Sequence, residues 1–184
     1  RKQVTRRNLS DHTLDIRYNR QSLDKSPIDL DEIDDFIREL TRNREYQYKA
    51  IRDILFYLWG DKYNSVSDLA KENWKASDKL AIQQRFTSQE QFLSMLPLPD
   101  KLSGVVHMAT GTGKSYVIFA IAYLSIILGF VKRVLILGPS STVIEEGLWG
   151  KVKDHIIGER GHELIKKLPQ QYRNIPISFC DEKK

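Results

Sequence analysis

The stretch "GVVHMATGTGKSY", residues 104–116, decides how the rest of the chain reads. It opens with a short apolar run, passes through small residues and enters a long apolar segment. That order predicts strand, loop and helix. The general phosphate-loop formula is a glycine, four residues, then Gly-Lys-Ser or Gly-Lys-Thr. Gly113, Lys114 and Ser115 supply the end of this formula, but Met108 stands where its first glycine belongs.

The chemistry still favours a phosphate site. Phosphate oxygens need several backbone N–H groups aimed into one concavity. Glycines let the chain wrap that tightly, and the N-terminus of the next helix adds a favourable dipole. A lysine then reaches the terminal phosphates, and a hydroxyl beside it takes Mg²⁺. Thr110, Gly111, Thr112, Gly113, Lys114 and Ser115 follow this order. They predict a cradle for the phosphates of a nucleotide with Mg²⁺. Lys114 would be the catalytic cation at the terminal phosphates, and Ser115 would be the metal ligand.

Beyond the loop, "YVIFAIAYLSIILGFV", residues 116–131, is almost wholly apolar. It is shorter than the roughly 20 residues a membrane-spanning helix needs. A fully buried helix of a layered domain is expected instead. "RVLILG" (133–138) reads as a second buried strand, "TVIEEGLWGKVKDHII" (142–157) and "ERGHELIKKL" (159–168) as helices, and "IPISFC" (175–180) as a third strand. This alternation predicts an α/β fold with a parallel sheet and right-handed crossovers over residues 101–184.

Before the loop the pattern is helical. In "SPIDLDEIDDFIREL" (26–40), Ile33, Phe36, Ile37 and Leu40 recur at helical spacing, with acids in the first turns. A second helix is expected from about Arg44 to Trp59, striped by Tyr48, Ile51, Leu55 and Leu58 and stopped at Gly60. Residues 65–96 read as two or three short helices, with Ser65 and Thr87-Ser88-Gln89-Glu90 as start signals. "PLPDK" (97–101) is a breaker. The expected organisation is a basic arm or lead-in (1–28), a helical region (29–100) and the α/β lobe (101–184).

Composition narrows the classes. Net charge is +5, compatible with a polyanion partner. It is uneven: residues 1–20 carry a net +4 and residues 21–40 a net −5. The single cysteine, Cys180, excludes an intrachain disulfide and a cysteine-rich metal site, so a reducing, cytoplasmic setting is expected. His12, His107, His155 and His162 show no metal-ligand spacing. There is no signal-peptide pattern, and the chain, which does not begin with Met, reads as a piece of a longer protein.

Three stretches together carry a family resemblance. "MATGTGKS" (108–115) resembles the first motif of superfamily 2 helicases and translocases, in which the early glycine is often absent and a threonine, here Thr110, holds the turn. "NREYQYKAI" (43–51) resembles their adenine-reading Q-type motif, with Gln47 on the base edge and Tyr46 or Arg44 covering the ring or shaping the pocket. "VLILGPSSTVIEEG" (134–147) resembles the next motif, in which Pro139, Ser140, Ser141 and Thr142 would touch nucleic-acid phosphates. Within the superfamily, the order Tyr-Gln, "ATGTGKS" and "PS…IEEG", with a helical insertion ending in "LPLPDKLSG", most resembles the restriction subunits of type III restriction-modification enzymes. The resemblance covers roughly residues 36–157.

That resemblance implies a partial RecA-like lobe behind a helical N-terminal region. It also implies the ATP-binding part of a DNA-dependent helicase or translocase from a restriction or phage-defence enzyme. Duplex DNA, contacted through its backbone, and a modification or specificity subunit would be its partners. An RNA helicase of the same superfamily, or a nucleotide-gated module that never hydrolyses, stays open. Hydrolysis in the family needs an acidic box. Asp181-Glu182 is its one candidate here, the alternative being a box beyond Lys184. With one lobe only, the 184 residues are expected to bind nucleotide weakly and to hydrolyse it negligibly.

Overall fold

The computed structural model describes residues 14–138, 149–150 and 153–178. Its α-helices are α1 (Arg20–Asp24), α2 (Asp34–Thr41), α3 (Glu45–Trp59), α4 (Val66–Lys75), α5 (Leu80–Arg85), α6 (Gln89–Ser94), α7 (Lys114–Ile127) and α8 (Glu159–Ile165). A π-helical turn at Lys153–Ile157 precedes α8, and 3₁₀ turns lie at Ser77–Lys79 and Gln170–Tyr172. Contacts divide the chain into two units. The first is drawn from Arg1–Pro27 and Gly60–His107, the second from Ile28–Trp59 and Met108–Lys184.

In the second unit the helix expected over 26–40 forms only from Asp34, the one expected from about Arg44 forms as Glu45–Trp59, and most of the helix expected over 142–157 lies outside the described residues. Ile33, Phe36, Ile37 and Leu40 are buried on or beside α2, and Ile51 and Leu55 on α3. Full burial of one such side chain contributes about 1.5–3 kcal/mol, so packing rather than propensity holds the eight-residue α2. Arg42, in the left-handed region at φ 50°, ends α2 and lets the chain turn into α3. The α2 and α3 helices pack together, and α7 packs on both, with Phe36 stacked on Tyr123 at 5.7 Å. At the far end of α3, Trp59 stacks on Phe130 at 5.2 Å and donates its Nε1–H to Ser125 Oγ at 2.8 Å. Glu32 accepts a hydrogen bond from Gln171 Nε2 at 3.0 Å.

In the first unit, Ala70, Ile82 and Phe92 form a small core against Trp74, Phe86 and Leu96. Ser65 and Ser88 cap α4 and α6, accepting from Asp68 N and Gln91 N. The Gln91 side chain in turn accepts from Thr87 N at 2.7 Å, so the cap sits one residue later than the Thr87-to-Glu90 spacing of the sequence indicated. Asn73, fully buried, clamps the lead-in from two sides. It accepts from Asp15 N at 2.9 Å and donates to Asp15 O at 3.0 Å. Arg17 adds a two-pronged bond to Asp78, both at 2.7 Å.

The expected parallel sheet, and with it the RecA-like lobe, is not seen among the described residues. Among the described residues there is no β-strand. Residues 104–108 and 133–138 have no regular secondary structure, and the described part of the third predicted strand, 175–178, has none either. A branched apolar run is suited to a strand, but a strand exists only where a neighbour takes its N–H and C=O groups. No such ladder forms here, and Val105, Leu135 and Leu137 stand 93%, 77% and 83% exposed. The same absence corrects the reading of residues 116–131 as a fully buried helix. The α7 face carrying Val117, Phe119, Ala120, Tyr123 and Leu124 is buried. Ile118 and Ile121, on another face, line an open apolar groove of about 460 Å³ with Leu58, Trp59 and residues 134–137.

Candidate nucleotide site

The loop is built at the start of α7. Gly111 and Gly113 both lie in the left-handed region, at φ 80° and 78°. Side-chain-bearing residues rarely adopt that conformation, which explains two glycines one residue apart. Between them Thr112 closes a tight turn: its N–H and its Oγ1 both donate to Ala109 O, at 3.4 and 2.6 Å. Gly113 caps α7, so Lys114 and Ser115 open the helix at its positive end. Lys114 is exposed and, among the described residues, forms no ion pair.

The Q-type segment meets this loop directly. Gln47 is fully buried in the first turn of α3, and its Nε2 donates to Thr112 O at 2.5 Å. Tyr46, half-exposed, donates its hydroxyl to the same carbonyl at 3.2 Å. Approach is so close that a Cβ on Gly113 would collide with Gln47 Nε2. Gln47 Oε1 is buried with no hydrogen-bond partner. Buried acceptors are rarely left unmet, and one beside a phosphate-type loop is where a ligand donor would go. Arg44 lies exposed, with its carbonyl accepting from Gln47 N and Tyr48 N at 3.0 Å each.

An ionic hub behind the site fixes α3 against α2. Asp34 accepts from Arg38 Nε at 2.7 Å, from Arg52 at 2.5 Å and from the Tyr48 hydroxyl. Arg52 also bonds Asp31 at 3.0 Å and Leu30 O at 3.1 Å, and the Arg38 guanidinium lies 4.0 Å from the Tyr48 ring centre. Burial alone would push the Asp34 carboxyl up. The Tyr48 and Arg38 hydrogen bonds and the charges of Arg52 and Arg38 outweigh it and hold the group below the usual carboxylate range. Burial and the bond to Asp34 push the Tyr48 phenol up. Sequence reading assigned Tyr48 only to the apolar stripe. The signal for the hub was faint: an Asp34–Arg38 pair four apart and an arginine, Arg52, four residues after Tyr48.

On the other side of the loop, Tyr116 approaches Gly113 and lies 5.3 Å, ring to ring, from His155. His155 is buried and also stacks on Phe119 at 6.1 Å. His155 thus packs among aromatic rings in the interior and not at the surface. Among the described residues no three His, Cys, Asp or Glu groups could hold a metal ion, and no helix is long and apolar enough to cross a membrane. Of the residues singled out from the sequence, the fold brings Tyr46 and Gln47 to Thr112 and Gly113. Pro139, Ser140, Ser141, Thr142, Asp181 and Glu182 lie outside the described residues.

A glycine-framed loop at a helix N-terminus, latched to a buried glutamine, is the kind of backbone turn that phosphate-loop proteins use. A family model described as "Type III restriction enzyme, res subunit" matches residues 41–178. The chain therefore belongs to the family of type III restriction enzyme res subunits, a superfamily 2 helicase family. Membership makes it an ATP-binding, helicase-like module. No curated protein and no solved structure gives a significant match.

Proposed function

We propose that the chain binds ATP with Mg²⁺ at residues 110–115 and serves as the ATP-binding part of a DNA-dependent translocase of a restriction enzyme. One observation carries the reading: the fully buried Gln47 is latched to the loop carbonyl of Thr112 and keeps a buried, unmet acceptor, Oε1, beside it. A triphosphate fits a glycine-framed turn that opens a helix, and an adenine fits a lone buried acceptor, because its exocyclic amino group donates where guanine presents a carbonyl. Lys114 would meet the β and γ phosphates, and the Ser115 hydroxyl would bind Mg²⁺. Tyr46 would shape the base end of the site. Bound Mg²⁺ neutralises phosphate charge, and the chain's own residues bind and orient the nucleotide.

Contact between residues 139–142 and the DNA backbone, and pairing with a modification subunit, complete the proposal. They rest on the motif order and the family. The test is Lys114→Ala. The variant is expected to keep the wild-type unfolding curve and to lose Mg·ATP binding by tenfold or more, on the order of the charge-assisted bonds removed. Unchanged Mg·ATP binding by Lys114→Ala refutes the site. Stimulation of the parent enzyme's ATP turnover by RNA and not by duplex DNA refutes the DNA assignment.

A further inference from the structure

The Thr112 carbonyl receives two donors from neighbouring residues of α3: Gln47 Nε2 at 2.5 Å and the Tyr46 hydroxyl at 3.2 Å. Resting on the loop reading above, we propose that Tyr46 is a positioning residue for phosphate, acting through its hydroxyl on the Thr112–Gly113 peptide. The role is separate from any contact of its ring with a base.

The argument starts from the peptide itself. A trans peptide carries its C=O and the following N–H on opposite sides, so holding the Thr112 carbonyl toward α3 turns the Gly113 N–H away from α3. Glycine tolerates either sign of φ, so the residues framing Thr112 give the backbone little steric reason to hold one orientation. Gly111 and Gly113 both occupy the left-handed region, at φ 80° and 78°. The orientation must then come from hydrogen bonds, and two donors on one carbonyl supply it. Tyr46 is 50% exposed, so its ring is not required to fill a core. A donor that orients an N–H before phosphate arrives removes reorganisation from the binding step, which is the source of its effect.

The experiment compares Tyr46→Phe with wild type for binding of Mg·ATP and of Mg·tripolyphosphate, which has no base. The expected result is an equal weakening for both, about two- to tenfold as for one hydrogen bond, with the unfolding midpoint unchanged. A structural role would move the midpoint, and a base-contacting role would weaken ATP alone. Either result, or wild-type tripolyphosphate affinity in Tyr46→Phe, overturns the inference. Wild-type protein that binds neither compound overturns the loop reading and this inference with it. Loss in Lys114→Ala together with no loss in Tyr46→Phe overturns this inference alone.

Discussion

Gln47 and Thr112, 65 positions apart, are joined by a 2.5 Å hydrogen bond from a fully buried amide to a loop carbonyl. The bond ties the first turn of α3 to the phosphate-type loop. Substituting Gln47 by Leu keeps much of the volume and removes both the donor and the unmet acceptor. Mg·ATP affinity is expected to fall and the preference for ATP over GTP to disappear. Competition binding with the two nucleotides measures it, and a preserved ratio counts against the base-reading role.

Gly113 has no room for a side chain. A methyl group there meets Gln47 Nε2, and the backbone sits at φ 78°. Gly113→Ala is expected to destabilise the protein by about 1–3 kcal/mol and to displace the loop from Gln47. Chemical denaturation gives the stability, and Mg·ATP titration gives the loss of binding. Wild-type values in both assays would show that the close approach does not matter.

Asp34 makes stability depend on acidity. Its folded-state carboxyl titrates below its unfolded value. The contribution is therefore fully present above the unfolded value and is lost as pH falls through the folded one. Asp34→Asn is expected to cost about 1–3 kcal/mol at pH 7, because Arg52 and Arg38 lose a charged acceptor. That difference should shrink in denaturation curves taken below the usual carboxylate range. A gap that stays constant with pH would assign the cost to shape instead.

Asn73 offers a test of the other unit. Its amide holds Asp15 through two backbone bonds while fully buried. Asn73→Ala leaves the Asp15 N–H and C=O without their partner and is expected to cost about 1–3 kcal/mol. Amide hydrogen exchange should accelerate first at residues 14–17. Slow exchange there in the variant would mean that Arg17 and Asp78 suffice to hold the segment.

The helices were legible because their signals are local. The apolar spacing of Ile33, Phe36, Ile37 and Leu40 defines α2, serines mark the starts of α4 and α6, and two glycines with Lys114 mark the loop. The sheet was misread for the complementary reason. "GVVHM" and "RVLILG" have strand composition, but composition carries no information on whether a partner supplies the ladder. The Asp34 hub was missed because Tyr48 and Arg52 gain their roles only when α3 lies against α2.

Sequence alone determined the phosphate-loop pattern of residues 110–115, the positions of the main helices and the family resemblance, since these depend on residue type and short spacing. Tertiary structure alone decided that 104–108 and 133–138 stand without a ladder and that α7 buries one face. It also brought Tyr46 and Gln47 to one carbonyl of the loop. Hydrogen bonds between distant segments have no local signature, so only the packed chain shows which donor meets which acceptor.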